Sequence, residues 1–495
     1  MNSAFYLPLG LEEGLETTLQ RFGPAHDALE LHLPVVARHD LARWIEALRE
    51  ARAHHLANRP AAQIVRSLDA VTSRFLNPAD PARREAVESL ARAGRFSAPM
   101  IERALDDVFE PLSKGGLTRW VASEVGSLHA LDRPTATAGG IERFASGPEW
   151  MLQIYAGNIP TLPVWPIYSA LLLKSALLAK TSAQEPILAP LIARVIAEED
   201  EALGACVAVV WWKGGTNDLD RTALSLAPAV LAFGGEEAIA SIARQARPDA
   251  IHVLHGPKVS VGYVERRALS YAALPGLAAR VAHDVSLYDQ QGCLSPHAFY
   301  VERKGAVPPA RFAEVLATAL EERAIEMPRG EVTPAASARV QLYRAQARFE
   351  AAVAPFGYPI RVLESPGNTS WTVVLEEGAR FEPGPAYRTV KVHAVDGPED
   401  FGRAVRPAVR YLEAVGLEAR GPERARLTAA FAAMGVPRIA PIGLLQRPTP
   451  LGTHGGVRRL LPFVTWTTVE RPASRRPASK SSRPGSPRRA PRRSR

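Results

Sequence analysis

Cysteine is nearly absent: 495 residues contain only Cys206 and Cys293. Two such distant thiols form no Cys-x-x-Cys metal pair and no disulfide framework, so no metal site is expected. Lone thiols also suit a reducing, cytoplasmic setting. No G-x-G-x-x-G fingerprint opens any strand–helix unit, which excludes the usual glycine-rich pyrophosphate turn. No apolar run is long and clean enough to span a membrane. The richest, 159–178, is interrupted by Pro160, Pro163, Pro166 and Lys174, and reads as a buried helix followed by a strand. The opening MNSAFYLPLGLEEG lacks the basic and apolar regions of a secretory signal. Acidic residues are missing from 471–495, where ten Lys and Arg account for more than the whole net charge of +9 and leave the preceding 470 residues at −1. This low-complexity tail is expected to be disordered. Its role is unknown: ten charges could hold nucleic acid or an anionic membrane in a salt-sensitive way, but a solubilising extension requires neither.

What remains is ordinary globular sequence, long enough to bury a large core without staples. Residues 1–125 read mainly as helices. Leu41, Trp44, Ile45 and Leu48 recur at helical spacing, as do Ile64, Leu68, Val71 and Phe75, and then Ile101, Leu105 and Val108. From Met151 short apolar strands alternate with amphipathic helices: strands at 151–155, 176–179, 205–212, 229–233 and 250–254, and helices at 161–173, 185–199, 219–226 and 236–247. That alternation predicts a parallel α/β sheet with sites at the carboxyl ends of its strands. After Lys258 a helix is expected near 265–282 and strands at 297–301, 370–375 and 389–395, with helices at 309–323 and 334–353. The Pro- and Gly-rich stretch 435–470 reads as irregular.

Several residues could carry chemistry. Cys293 lies in YDQQGCLSPH, where Gly292 permits a tight turn and Asp289, Gln290 and Gln291 make the approach polar. A thiol there could serve as a nucleophile if a helix terminus or cation lowers its pKa; the bland reading is a small core residue. Cys206, inside ACVAVVWW, reads as core. Asn158 follows the first strand in YAGNIP and could donate to a developing oxyanion, or merely cap a turn. Lys180, with Ser182 beside it, ends the second strand, where a ribose or phosphate would lie; a surface lysine is the plain alternative. Gly234 and Gly235 precede a helix whose first amides could face a phosphate, or only make a turn.

Together YAGNIP (155–160), LLLKSALLAKTSAQEP (171–186), AFGGEEA (232–238), HGPKVSVGYV (255–264), DVSLYDQQGCLSPHAFYVE (284–302) and GVPRIAPIGLLQRP (435–448) resemble the aldehyde dehydrogenase superfamily. The similarity is to its LuxC-type acyl-CoA (long-chain fatty acyl) reductase branch, over most of 151–470. The resemblance implies an aldehyde-dehydrogenase-like α/β fold. It divides the chain into an N-terminal helical region (1–125), a Rossmann-like parallel-sheet cofactor domain (126–257), an α/β catalytic domain (258–434), a C-terminal segment (435–470) and the tail (471–495). It also implies roles. Cys293 matches the thiol that carries the acyl group, and Asn158 the donor to the thioester oxygen. Lys180 matches the lysine at the adenosine ribose or its 2′-phosphate. Ser182, Gly234 and Gly235 fall along the cofactor path, and Glu382 in FEPGPAYRTV matches the glutamate at the nicotinamide ribose. A homo-oligomer is implied, and an acyl-transferring partner protein would fit.

The departures from the pattern also inform. Oxidising relatives carry Glu-Leu-Gly-Gly-Lys, whose glutamate activates the deacylating water. Here Leu254-His255-Gly256-Pro257-Lys258 stands there, with Leu254 at the glutamate position and His255 one residue off as a substitute base. An acid three residues after the lysine, common where NAD is preferred, is replaced by Ala183, which favours NADPH, with NADH as the alternative; Glu185 lies close enough to complicate that choice. A Trp-His-His-Asp-Gly-like run is reduced to Leu451-Gly452-Thr453-His454-Gly455-Gly456. The expected function is ping-pong reduction of an acyl-CoA or acyl-carrier thioester to an aldehyde through a Cys293 acyl-enzyme. The alternatives are an NAD(P)-dependent aldehyde dehydrogenase running toward acid, and a non-catalytic protein binding through its basic tail.

Overall fold

Five short apolar runs, Trp150–Ile154, Ala176–Lys180, Val207–Val210, Ala229–Phe233 and Ile251–His255, pair in parallel. In the computed structural model, which describes residues 3–137, 141–215, 218–354, 360–378 and 380–470, they form one sheet. The basic tail lies outside the described residues. Strands Ala176–Lys180 and Val207–Val210 are buried at every position, which is why they read as continuous apolar runs rather than alternating ones. Across the sheet the order is 207–210, 176–180, 150–154, 229–233, 251–255. The chain builds one way from Trp150–Ile154 and then the other. The carboxyl ends of 150–154 and 229–233 flank the point where the direction reverses, the place where such sheets open a crevice. Helix Val164–Leu172 is wholly buried and keeps Pro166 in its first turn, where the missing N–H breaks no bond.

Helices Arg38–Ala51, Ala61–Leu76 and Ala98–Phe109 bury the spaced residues Trp44, Leu68, Phe75 and Ile101 in the same core as this sheet. The N-terminal region is not purely helical, however. It opens on an antiparallel hairpin, Thr17–Phe22 with Leu29–Pro34. Leu29, Leu31 and Leu33 point inward while Glu30 and His32 point out, a period-two signal masked by its polar half. Ahead of it Tyr6 exchanges two backbone bonds with Val209, so the N-terminal arm extends the sheet edge.

A second sheet runs 361–364, 372–376, 389–395, 296–302, 259–264, 412–418, 439–440, parallel except at its first edge. Its interior strand Val259–Val264 was not expected from the pattern, and the expected helix at 265–282 starts only at Leu274. Gly262 is required here: a Cβ would lie 2.1 Å from the Phe299 ring. The stretch expected to be irregular at 435–470 ends on strand Thr465–Val469, which pairs with Glu142–Ser146. Its partner is more than 300 residues away, so no local signal announces it. Among the described residues no helix is long and apolar enough to cross a membrane.

Candidate active site

Cys293 follows a short turn, Leu287–Gln290, whose residues Tyr288, Asp289 and Gln290 all have left-handed backbone. Such φ values are strained for non-glycine residues and persist only where the surroundings enforce them. The enforcement is visible. Asp289 Oδ1 accepts from Arg388 Nε at 2.9 Å, and the Asp289 carbonyl accepts from the Tyr387 amide at 2.9 Å. Gln290 accepts from the Thr389 amide and donates to the Pro296 carbonyl, each at 2.8 Å. Ala386, Tyr387 and Arg388 form a second left-handed run, so two strained segments brace each other. Asp289 and Gln290 therefore do not make a solvated approach; both are buried and hold the loop.

Beyond the turn, Ser260 Oγ donates to the Cys293 carbonyl at 3.0 Å, and Gln446 Nε2 donates to Ser295 Oγ at 2.6 Å. Asn158 Nδ2 donates to the Gln291 carbonyl at 3.0 Å, which leaves it one further N–H. Arg95, to which the sequence pattern gave no role, bonds both the Gly157 carbonyl and Gln291 Oε1, tying the loop after the first strand to the cysteine loop.

Cys293 opens onto a cavity of about 100 Å³ whose walls include Val108, Ile159, Leu162, Trp165 and Phe463. Asn158 does not line it, although Ile159, Thr161 and Leu162 do. Burial pushes the Cys293 thiol up to about 12; the Glu413 carboxylate adds to this, while its own and the Leu294 amide and Arg438 oppose it. The lowered pKa of a ready nucleophile is thus not present in the resting protein, and a thiol must be deprotonated as it reacts. Cys206 is fully buried as expected, though in the turn just before strand Val207–Val210 and not inside it, with its thiol also pushed to about 12.

Side chains alternate along Ile251–His255, so Val253 and His255 line the cavity while Leu254 does not. His255 stacks on Phe233, with centroids 4.9 Å apart, and lies 4.3 Å from the His454 ring. Burial lowers His255 to about 4 and His454 well below its ordinary value, so both imidazoles are neutral at pH 7. The cavity also takes in Glu413 and Arg438. Glu413 and Arg95 carried no sequence signal, and Arg438, though inside the segment 435–448, was given no role; each reaches the site from a distant segment.

The expected cofactor residues lie elsewhere. Lys180 Nζ is 3.8 Å from Asp220 Oδ1 and sits over the Trp212 ring at 5.3 Å. Asp220 itself accepts from Trp212 Nε1 at 2.7 Å and from the Gly215 amide at 2.6 Å. Ser182 Oγ accepts from the Gln184 amide at 3.1 Å, and a Cβ on Gly157 would strike it at 2.6 Å. Gly234 donates its amide to the His255 carbonyl at 3.1 Å, whereas a side chain on Gly235 would meet nothing within 4 Å. Glu382 is exposed, 3.5 Å from Arg380, and does not line the Cys293 cavity.

Glu185 is not directed at a ribose. Its Oε1 accepts from the Ile187 and Leu188 amides, both at 2.9 Å, at the start of helix Leu188–Glu199. Burial raises this carboxyl from 4.5 to about 7. A carboxyl with a raised folded pKa holds its proton more tightly in the folded chain. Its stabilisation is full below about 4.5 and lost as pH rises through about 7, on the order of 3 kcal/mol. Buried Asp284, also raised to about 7, adds to the same slope. The denaturation midpoint is expected to fall between pH 5 and 8, and to fall less in Glu185→Gln; equal slopes would show that Glu185 ionises freely in the fold.

Comparison with known proteins adds the following. The model of the acyl-CoA reductase (LuxC) family matches residues 56–466. A long-chain acyl-protein thioester reductase of Photorhabdus luminescens is 27% identical over 452 residues, covering 90% of this chain and 88% of its own. Aldehyde dehydrogenase 21 of Physcomitrella patens superposes with a TM-score of 0.70 at 11% identity, over 95% of this chain and 98% of its own. A variant of aldehyde dehydrogenase C from Pseudomonas syringae, crystallised with NAD+ and octanal, superposes at 0.67 with 14% identity, over 94% and 96%. The fold is therefore aldehyde-dehydrogenase-like. With the family match running through the helices, both sheets and the cysteine loop, the chain belongs to the acyl-CoA reductase (LuxC) family.

Proposed function

We propose that the protein reduces a long-chain acyl thioester, carried by CoA or by a protein, to the aldehyde through an acyl-enzyme on Cys293, with NADPH as reductant. The observation that carries this reading is Cys293 itself, opening onto an apolar cavity from a loop braced on every side. The relatives' names supply the substrate class: they are long-chain acyl-protein thioester reductases. The strand Ile251–His255, where oxidising relatives carry their water-activating glutamate, presents no carboxylate to the cavity.

In this reading the Cys293 sulfur attacks the thioester carbonyl, and Asn158 turns its remaining N–H to the developing oxyanion. Removing one such donor costs on the order of 10²–10³ in rate. The apolar walls hold the acyl chain and keep water from the thioester. Bound NADPH supplies the hydride. Lys180, Ser182, Gly234 and Gly235 would hold the cofactor along the strand ends, with Glu382 at the nicotinamide ribose, and the open space over Gly235 fits a passing phosphate. Lys180, which Asp220 holds at 3.8 Å, is the cation that would meet a 2′-phosphate.

The test is an acyl-thioester panel with NADPH or NADH, following thiol release, cofactor oxidation and aldehyde. Turnover with NADPH exceeding that with NADH supports the reading. Oxidation of aldehydes to acids without thioester reduction would favour the dehydrogenase alternative. Lys180→Ala is expected to lower kcat/KM for NADPH by about 10- to 100-fold, the loss of one charged hydrogen bond, with a smaller effect on NADH. An equal loss with both would remove Lys180 from 2′-phosphate recognition.

A further inference from the structure

The thiol of Cys293 is protonated at rest, and the strand that carries the base in oxidising relatives presents only Val253 and His255 to the cavity. A different segment supplies a carboxylate. Strand Leu412–Glu418 runs beside Val259–Val264, and the register slips at one place: Val259 faces Leu412, but Ser260 faces Ala414. Glu413 is the extra residue. Bulges of this kind re-aim a side chain beside active sites, and here Glu413 turns into the cavity wall that it shares with Cys293.

The carboxylate is 2% exposed. Its Oε1 accepts from the Gly455 amide at 2.7 Å, while its Oε2 has neither solvent nor a hydrogen-bond partner. Leaving a buried carboxylate oxygen unpaired costs free energy and calls for an explanation. Gly455, at φ 57, keeps the approach clear: a side chain there would start 3.5 Å from Glu413 Oε2 and 3.8 Å from His255 Nδ1. Burial holds the Glu413 carboxyl above the ordinary carboxylate range, against the pull of Lys258, Arg438 and Arg459. Burial disfavours the protonated form of the neighbouring imidazoles His255 and His454.

We propose that Glu413 is a catalytic residue that takes the Cys293 proton during acylation and returns it to the departing thiol. This rests on the reading of Cys293 as the acyl carrier. The Sγ–H bond breaks and its proton passes to Glu413 Oε2. Sγ bonds the acyl carbon, the bond from that carbon to the donor sulfur breaks, and the donor leaves as a thiolate that takes the proton from Glu413. One thioester replaces another, with no net change in charge or oxidation state.

The acylation half-reaction needs no reductant, so it isolates the step. The full-length protein is mixed with a long-chain acyl-CoA alone, and the single-turnover release of CoA is timed from pH 6 to 10. In the wild type the rate is expected to level off once Glu413 is ionised. In Glu413→Gln, whose amide oxygen still accepts from Gly455, release is expected to slow by about 10²- to 10⁴-fold at pH 7, the usual range for a positioned general base. Its rate should then climb tenfold per pH unit, because the thiol must ionise unaided. Glu413→Asp should recover part of the rate, and melting temperatures report whether the variants fold. Equal release by the wild type and Glu413→Gln would overturn the proposal, as would a variant that acylates normally and differs only in hydrolysing its acyl-enzyme more slowly. A slow variant that follows the wild-type pH profile would also overturn it. No release from the wild type would instead overturn the acyl-carrier reading, and this proposal with it.

Discussion

Cys293→Ala is expected to abolish thiol release, cofactor oxidation and aldehyde formation together, with kcat falling by on the order of 10⁴-fold or more. Losses of that size follow removal of a covalent nucleophile, because the remaining groups act only through it. The geometry leaves no substitute. Cys206 is fully buried in the turn that precedes strand Val207–Val210 and does not line the cavity. The variant should fold normally: Ser260 holds the Cys293 carbonyl, which alanine retains. A folded variant that kept substantial turnover would mean that the acyl group never resides on this residue.

Arg388→Met is expected to reduce stability by about 3–5 kcal/mol, the cost of leaving one partner of a buried ion pair alone. The guanidinium is 0% exposed and Asp289 is 2% exposed. Arg388 donates to Asp289 Oδ1 and to the Met327 carbonyl, the latter at 2.8 Å. Burial already holds the Asp289 carboxyl above the ordinary carboxylate range in spite of Arg388. Without the arginine it would bind a proton or pull the turn open, and the left-handed run Tyr288–Gln290 would lose its brace. Chemical denaturation should show the loss, and acylation of Cys293 should slow with it. The double variant Asp289→Asn with Arg388→Met should be milder than Arg388→Met alone, because no buried charge is stranded. A single variant as stable as the wild type would contradict the bracing role.

The first sheet was legible because its strands are buried on both faces. Runs such as Ala176–Lys180 and Ala229–Phe233 need no partner in sequence to be recognised. The strands Val259–Val264 and Leu412–Glu418 were not legible. Each holds a glycine in a short run, and their burial depends on neighbours from distant segments. Cys293 stood out through its glycine and polar flanks, yet those flanks were misread: Asp289 and Gln290 are polar because they satisfy backbone groups inside the fold, not because the loop meets water. Leu254 marked where a carboxylate was missing, but nothing local could say that Glu413 enters the same cavity from 159 residues further along the chain. That approach depends on a register slip between two strands, and a bulge leaves no mark in a pattern of apolar and polar residues. Arg95 was hidden likewise, an ordinary helix-linking arginine until Gly157 and Gln291 are placed beside it.

The central claim is that Cys293 carries the acyl group and gives it up to hydride. Intact-mass and peptide mass spectrometry after mixing with a long-chain acyl thioester, before and after adding NADPH, tests it most directly. One acyl group on the peptide containing Cys293, lost on adding NADPH with one equivalent of aldehyde formed, is the predicted result. No adduct on that peptide, or an adduct that NADPH leaves untouched while water converts it to acid, would contradict the account.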